Sequence, residues 1–439
     1  MNSMNTGTIL KHLGFSELND MQISTMKISE NNLDLLLLAP TGSGKTLAFV
    51  LSALPYLTPE KGIQLLILAP TRELVLQIES VIKAMKLPVK TNVAYGGHAF
   101  SVERNNFTEP PTILVGTPGR VEDHLNRKTF KPGSITHIIF DEFDKSLEFG
   151  FTNQMESIMR RLPNVERHTL VSATDAISIP DFLNLPNIKK IDFQNDTKPS
   201  LSFQQITVPK DEKVEGLIKV LGRLKGGENA LVFVNHRDAV ERIGEYLSTM
   251  DASFAVFHGG LKQEQRELEL VKFKNGSANI LIATDIAGRG IDIPDLNFVI
   301  HYQMPNSNAI FTHRNGRTAR MKAEGTVILI HTNEDPHFDY IEDEIEQIQI
   351  KDFKPIENTK WDTLYIGKGK KDKINKMDLV GFFLSLDFMT KADLGLIVVK
   401  DFVAYVAINS KLTKQVLNKY SKAKIKNKTV KVQLVRQIF

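Results

Sequence analysis

Ten short apolar runs, alternating with helical stretches, set the strongest limit on how this chain of 439 residues can fold. Five lie at 35–38, 65–68, 112–115, 138–140 and 169–171, and five more at 230–234, 253–257, 280–283, 298–301 and 325–330. Stretches between them, such as 72–85 and 237–250, carry helical periodicity. A strand that is apolar along its whole length has both faces buried, the condition inside a parallel sheet covered by helices on each side. Two series of five therefore predict two α/β domains in tandem. The polar, Pro-containing stretch "FQNDTKPSLSF" at 193–203 predicts the boundary between them, and "DFKPIENTKWD" at 352–362 predicts a second break. The expected domains span 1–196, 203–352 and 361–437.

Charge sets the last segment apart. Residues 360–439 hold 17 Lys and Arg against 6 Asp and Glu, whereas the whole chain has 55 against 51. An acidic body thus carries a basic tail. Basic charge confined to one end, without an amphipathic basic helix, favours nucleic acid over membrane as the partner. The absence of cysteine excludes disulfides, thiolate nucleophiles and Cys-based metal sites. No apolar run approaches the roughly 18 residues of a membrane span, and the start "MNSMNTGTILKHLGFSEL" lacks signal-peptide features. A cytoplasmic monomer is expected, with no membrane partner.

The first apolar run leads into "APTGSGKT", 39–46, and then a helical pattern. This nearly fits the phosphate-binding P-loop, with Ala39 at the first glycine position. Thr41, Gly42, Ser43 and Gly44 would turn backbone N–H groups towards phosphate, and the helix start adds partial positive charge. Lys45 would reach the β and γ phosphates, and Thr46 would hold Mg²⁺. A second run, "IIF", ends in Asp141-Glu142-Phe143-Asp144. Clustered carboxylates repel, and a cation relieves that repulsion. In a P-loop fold an Asp at a nearby strand end helps hold Mg²⁺, which assigns Asp141, and Glu142 would then orient and deprotonate the attacking water. Asp144 would accept hydrogen bonds from "SAT", 172–174, which ends the next strand.

These residues resemble a DEAD-box RNA helicase of superfamily 2. Further stretches follow that pattern in order. They are "PTRELVLQ" (70–77), Gly96-Gly97, "TPGR" (117–120), "VFVN" (232–235), "HGGLKQEQR" (258–266), "ATDIAGRGIDIP" (283–294) and "HRNGRTAR" (313–320). The resemblance implies two RecA-like domains, ATP with Mg²⁺ as cofactors, and RNA as the partner. It implies that Gln22 reads the adenine edge and Phe15 stacks on the ring, although Asn19-Asp20-Met21 stands where the family has Pro-Thr-Pro. It also implies Arg317 and Arg320 as arginine fingers and Asp292 as a ribose contact, with Asp285 tying its loop to RNA or to the phosphate network. His313 is expected to serve an interface rather than catalysis. The implied RNA-backbone contacts are Thr71, Arg72, Gly97, Thr117, Gly119 and Arg120 in the first domain, and Arg237, Arg266 and Thr284 in the second. ATP and RNA together would close the two domains and open a short duplex locally, without long-range translocation.

Phe143 stands where the family has Ala. Two readings compete: a roomier neighbouring core accepts the ring, or the ring displaces Glu142 and slows hydrolysis.

In the tail, the order strand, helix, strand, strand, helix, strand fits an RNA-recognition-motif fold. The predicted architecture is therefore two tandem RecA-like parallel-sheet domains followed by a small α+β domain of that kind. Tyr365 occupies its first-strand aromatic position, which implies an RNA contact. Strand alternation predicts Val403 and Tyr405 on one face, and Phe402, Ala404 and Val406 in the core. Lys368, Lys370, Lys371 and Lys373, with Lys424, Lys426 and Lys428, are expected to form a phosphate patch. Such a core with such a tail resembles the bacterial DbpA type, which implies docking on a ribosomal RNA hairpin during large-subunit assembly. The leading expectation is an RNA-dependent ATPase that unwinds short duplexes. An ATP-gated RNA clamp with little turnover rests on Phe143 alone, and a DNA translocase is disfavoured by the adenine-reading motif.

Overall fold

The computed structural model describes residues 6–31, 33–40, 42–58, 62–97, 100–175, 178–194, 200–285, 293, 296–318, 324–341, 345–349, 353–420 and 423–438. These residues fall into two compact units, one ending at 194 and the other starting at 200.

The first unit is built on a parallel sheet of β1 (Asp34–Leu38), β2 (Leu65–Leu68), β3 (Thr91–Ala94), β4 (Ile113–Gly116), β5 (His137–Phe140), β6 (Arg167–Ser172) and β7 (Lys189–Asp192). Their spatial order is β3-β4-β2-β5-β6-β1-β7. Alternate side chains serve two cores. Leu35, Leu37, Ile67, Val115 and Ile139 pack with Phe49 and Val75 on one side, and Leu66, Leu68, Leu114 and Ile138 pack with Met155 and Ile158 on the other. Each such side chain fully withdrawn from water contributes about 1.5–3 kcal/mol.

The second unit contains another parallel sheet and a small antiparallel one. The parallel sheet comprises β8 (Ser200–Val208), β9 (Ala230–Phe233), β10 (Phe254–Phe257), β11 (Ile280–Ala283), β12 (Phe298–His301), β13 (Glu324–Thr332) and β14 (Glu346–Gln347), ordered β10-β11-β9-β12-β13-β8-β14. The ten apolar runs all become strands. The four strands the pattern missed have physical reasons to be missed. β3 and β7 close the two ends of the first sheet and β14 closes one end of the second, so they carry polar residues. β8 alternates polar and apolar residues along "SLSFQQITV".

The tail folds as β15 (Trp361–Ile366), helix Lys376–Leu384, β16 (Leu394–Val399), β17 (Ala404–Asn409), helix Thr413–Lys419, a hairpin of β18 (Ala423–Ile425) and β19 (Lys428–Val430), and β20 (Val432–Leu434). Its sheet runs β16-β17-β15-β20 and buries Leu364, Ile366, Val406 and Ile408 against Phe383 and Val416. Ala404 and Val406 are in that core as expected, but Phe402 is not: it is 69% exposed. Strand β17 starts only at Ala404, so the alternation does not reach back into the turn before it. No described helix is long and apolar enough to cross a membrane.

Phe143 is fully buried and meets Phe140 edge to face, with ring centroids 5.6 Å apart. The ring belongs to the core under β5, the roomier-core reading. Phe143→Ala is expected to lower the stability of the first unit by about 3–5 kcal/mol, measured by urea unfolding followed by circular dichroism. An unchanged unfolding midpoint would mean that the ring is not packed.

Candidate nucleotide and RNA sites

Because every strand of the first sheet runs the same way, every loop that follows a strand opens on one edge. The P-loop follows β1, the acids follow β5, and Ser172-Ala173-Thr174 ends β6, three neighbouring strands. The loops after β2, β4 and β3 carry Thr71-Arg72, Thr117–Arg120 and Gly96-Gly97. The edge thus separates the loops expected to hold nucleotide from those expected to hold RNA.

In the P-loop, Gly42 and Gly44 take positive φ angles of 86° and 88°, which side chains disfavour. The helix Lys45–Ala53 starts immediately after. The Lys45 ammonium donates to the Ala39 carbonyl at 2.6 Å, so it lies across the mouth of its own loop. Ser43 Oγ donates to the Pro40 carbonyl at 2.9 Å, and Thr46 is half-buried beside it. Thr41 lies outside the described residues. A Cβ on Gly44 would sit 2.5 Å from Gln22 Nε2, which itself donates to the Gly44 carbonyl at 3.3 Å. Asn19 Nδ2 donates to the Ser43 carbonyl at 2.9 Å. Asn19 also caps the helix Asp20–Ser29 through a reciprocal pair with Gln22, at 2.9 and 3.0 Å. The residue that replaces the family's first Pro therefore fixes the turn by a capping box. Phe15 is 57% exposed, leaving its ring free to meet a flat ligand.

Asp141 is 4% exposed at the end of β5. Burial pushes its carboxyl up to about 7, the charge of Glu142 adds to this, and Lys45 opposes it. Glu142 holds a left-handed backbone, φ 46°, ψ 53°, and its Oε2 is buried without a hydrogen-bond partner. A non-glycine residue in that region is strained, and such strain gathers at functional sites. Thr174 Oγ1 donates to Asp144 Oδ2 at 3.3 Å, as the sequence predicted, while the Ser172 hydroxyl is used within its own turn. Asp144 also meets the buried Lys145 at 3.5 Å. The desolvated Asp141 carboxyl, beside the half-buried Glu142 and facing the charge of Lys45, fits a divalent cation, since a buried carboxyl with few donors favours either a proton or a metal.

Among the loops expected to hold RNA, Thr71 and Thr117 stand at the N-termini of helices Arg72–Ala84 and Pro118–Asn126. The Arg72 guanidinium lies across Gly96 and Gly97, where a Cβ on Gly97 would be 2.3 Å from Nη1. Gly119 faces open space. Arg120 is held from behind: its Nε donates to Glu103 Oε2 at 2.6 Å, and the guanidinium lies 5.0 Å from the Phe100 ring. Burial works against ionisation of Glu103, but hydrogen bonds from His124 and Arg120 outweigh it and hold its pKa below the usual range. Glu103 and Phe100 were not anticipated, because nothing in a single sequence pairs them with a loop seventeen positions on.

On the second unit, Arg237 opens the helix Arg237–Thr249 and is exposed. Arg266 donates to the carbonyls of Leu261 and Gly259 at 3.1 and 3.5 Å, bracing the turn after β10. Thr284 follows β11 and is half-buried. The residue that sequence reasoning passed over is Arg314. It is fully buried and donates to Asp285 Oδ1 at 2.6 Å, the Gln303 carbonyl at 2.7 Å and Asn235 Oδ1 at 2.8 Å. One guanidinium thus fastens the loops after β9, β11 and β12, and Asp285 is first of all its partner. Arg317 is 2% exposed at the end of the same segment, and His313 is 4% exposed. Asp292 and Arg320 lie outside the described residues.

In the tail, the turn 367–373 packs on the turn before β17. Lys370 and Lys371 donate backbone N–H groups to the carbonyls of Lys400 and Asp401 at 2.8 Å each, and a Cβ on Gly369 would be 2.2 Å from the Lys400 oxygen. The Lys370, Lys371 and Lys373 side chains are exposed. Lys368 meets Asp372 at 3.2 Å, and Lys426 and Lys428 reach the carbonyls of Lys373 and Asp372 at 3.1 and 2.8 Å. The lysines therefore gather at one edge, as expected, with Phe402 exposed on the adjoining turn. Tyr365 is half-buried, 6.1 Å from Tyr405 between ring centroids.

Three family models match the chain. That for the DEAD/DEAH box helicase covers residues 19–181, the helicase conserved C-terminal domain covers 212–322, and the DbpA RNA binding domain covers 363–434. The ATP-dependent RNA helicase DbpA of Escherichia coli K12 is 30% identical, with 98% of this chain and 97% of that protein aligned. Its namesake in Bacillus subtilis 168 is 28% identical over 96% of each. Among solved structures, Mss116p bound to ssRNA and AMP-PNP superposes with a TM-score of 0.65 at 25% identity, over 74% of this chain and 72% of that one. Dbp5 of S. cerevisiae bound to RNA and ADP BeF3 gives 0.67 at 23% identity over 78% and 94%, a likeness of fold. A sheet edge with a P-loop and the buried Asp141 beside Glu142 on neighbouring strands, and three matched segments spread along the chain, lead to one conclusion: the chain belongs to the DEAD-box ATP-dependent RNA helicases, of the DbpA type.

Proposed function

We propose that this helicase opens short RNA duplexes locally, on ribosomal RNA during assembly of the large subunit, as a cytoplasmic monomer. The observation that carries the catalytic part is the buried Asp141 carboxyl, held near neutral pH next to Glu142 and Lys45. Thr46 and Asp141 would hold Mg²⁺, which when bound supplies positive charge against the phosphates. The P-loop backbone at Thr41, Gly42, Ser43 and Gly44 cradles the phosphates, Gln22 and Phe15 take the adenine, and Asp292 takes the ribose. Glu142 accepts the proton of the attacking water, and Lys45 with Arg317 and Arg320 balances the charge that spreads over the transferred phosphoryl group. Packing of the Phe143 ring in the core under β5 supports the turnover reading over an ATP-gated RNA clamp with little turnover.

RNA lies along Thr71, Arg72, Gly97, Thr117, Gly119 and Arg120 on the first unit, and along Arg237, Arg266 and Thr284 on the second, through its backbone. The lysine edge of the tail, Lys368, Lys370 and Lys371, supplies recruitment. The excess of basic residues in 360–439 supports this, since phosphate contacts dominate affinity.

Cation binding needs Asp141 ionised. With its pKa near 7, the carboxyl is neutral below that pH and charged above it. Affinity for ATP in Mg²⁺ should therefore fall as pH drops through about 7, by roughly tenfold per unit. Titration with a fluorescent ATP analogue checks this: Asp141→Asn should flatten the profile, and an equal slope in variant and wild type would contradict the assignment.

Crosslinking of the full-length chain to cellular RNA tests the ribosomal reading. Enrichment of a large-subunit hairpin is expected, reduced by Lys370→Glu with Lys371→Glu. Enrichment of messenger RNA alone would overturn the ribosomal reading and leave the ATPase standing.

A further inference from the structure

A four-stranded sheet with helices on one side leaves its other face open. In the tail that face is made by Trp361, Thr363 and Tyr365 on β15 and by Tyr405, Ala407 and Asn409 on β17, paired in register. Left open, these positions would be exposed. Yet Thr363 is 3% exposed, Tyr405 8% and Ala407 not at all.

The cover comes from the parallel-sheet domain of the same unit. The turn after helix Gln263–Lys274 sits on β15: Asn275 Nδ2 donates to Thr363 Oγ1 at 2.8 Å, and Ser277 Oγ lies 2.6 Å from the same hydroxyl. Trp361 lies against Gly276, where a Cβ would be 3.2 Å from its Cδ1. Gly276 has φ 77°, so the turn suits glycine on both counts. Lys400, whose ammonium lies 5.7 Å from the Tyr405 ring, forms an ion pair with Glu267 on that helix. At the far end, Gln437 Nε2 donates to the Ala252 carbonyl at 2.8 Å. Asn275, at 5% exposure, is buried with its hydrogen bond made, which marks a built contact rather than a grazing one.

We propose that this face is a permanent internal interface and not a platform for bases. The tail is a rigid arm fixed to helix Gln263–Lys274, whose first turn carries Arg266. RNA gripped by the lysine edge is then presented at one place relative to the RNA contacts of the second parallel-sheet domain. The last step rests on the tail binding RNA; the rigid attachment does not.

The chain has no cysteine, so two introduced ones can be spin-labelled cleanly. Glu245→Cys and Lys391→Cys place labels at exposed positions on the two domains. Pulsed dipolar spectroscopy should give one narrow distance distribution, unchanged when RNA is added. A broad distribution without RNA, or a shift to a new distance with it, would overturn the proposal. Thr363→Arg separates the two uses of the face. An open face would tolerate the substitution, keep the distance and bind RNA more tightly. A docked face would be expelled: the distribution broadens, and half-maximal ATPase stimulation needs about tenfold more RNA because the effective concentration is lost. Glu267→Lys should broaden it too, and adding Lys400→Glu should restore it. If distances behave as proposed while removing the lysine edge leaves RNA affinity unchanged, the arm stands and the tail's role in recruitment falls.

Discussion

Parallel strands all end on the same edge, and the chemistry of this protein follows from that constraint. Apolar strands pair inside the sheet and exclude water from its middle. Only the loops beyond the strand ends are free to carry charge. In the first unit this places the P-loop, the acids and Ser172-Ala173-Thr174 on three adjacent strands, with the loops proposed to meet RNA on the next three. No separate scaffold is needed to bring Lys45 near Asp141, because β1 and β5 each adjoin β6 in register.

The same constraint creates the electrostatic problem that the site uses. The end of β5 is still inside the protein when the first carboxyl appears, so Asp141 is desolvated and Glu142 is turned into a strained backbone conformation. A buried carboxyl near neutral pKa is costly in isolation and useful when a cation arrives. On the second unit the solution is different: Arg314 is neutralised by Asp285 and bound to Asn235 and Gln303, and so acts as a rivet between loops. Removing a buried charge with three partners would leave polar groups stranded, so the loops after β9, β11 and β12 are tied through a single side chain.

The sheets and the nucleotide loop were legible in the sequence because apolar runs and glycine spacing are local signals. Edge strands β3, β7 and β14 were not, since one side of each pairs with no strand among the described residues and polar residues suffice there. The capping role of Asn19 was hidden because family likeness drew attention to the missing Pro, although Asn followed three residues on by Gln is itself a helix-start signal. Arg314 was overlooked beside Arg317 and Arg320, since a motif does not show which of its arginines is bound to the loops around it. Phe402 was misplaced because alternation was extended past the end of β17. The covered face of the tail could not be inferred at all, as docking of Thr363 on Asn275 and Ser277 joins residues nearly ninety positions apart.

The proposed function has one central claim, that both units serve one hydrolytic reaction, the first through the P-loop and the acids and the second through Arg317. Phosphate release under single-turnover conditions, with ATP bound beforehand and RNA then added, tests it most directly. The account expects Lys45→Ala to abolish ATP binding, and Arg317→Lys to leave ATP and RNA binding within about twofold while slowing release by roughly a thousandfold, the scale of an arginine finger. RNA-stimulated release at the wild-type rate in Arg317→Lys would contradict it.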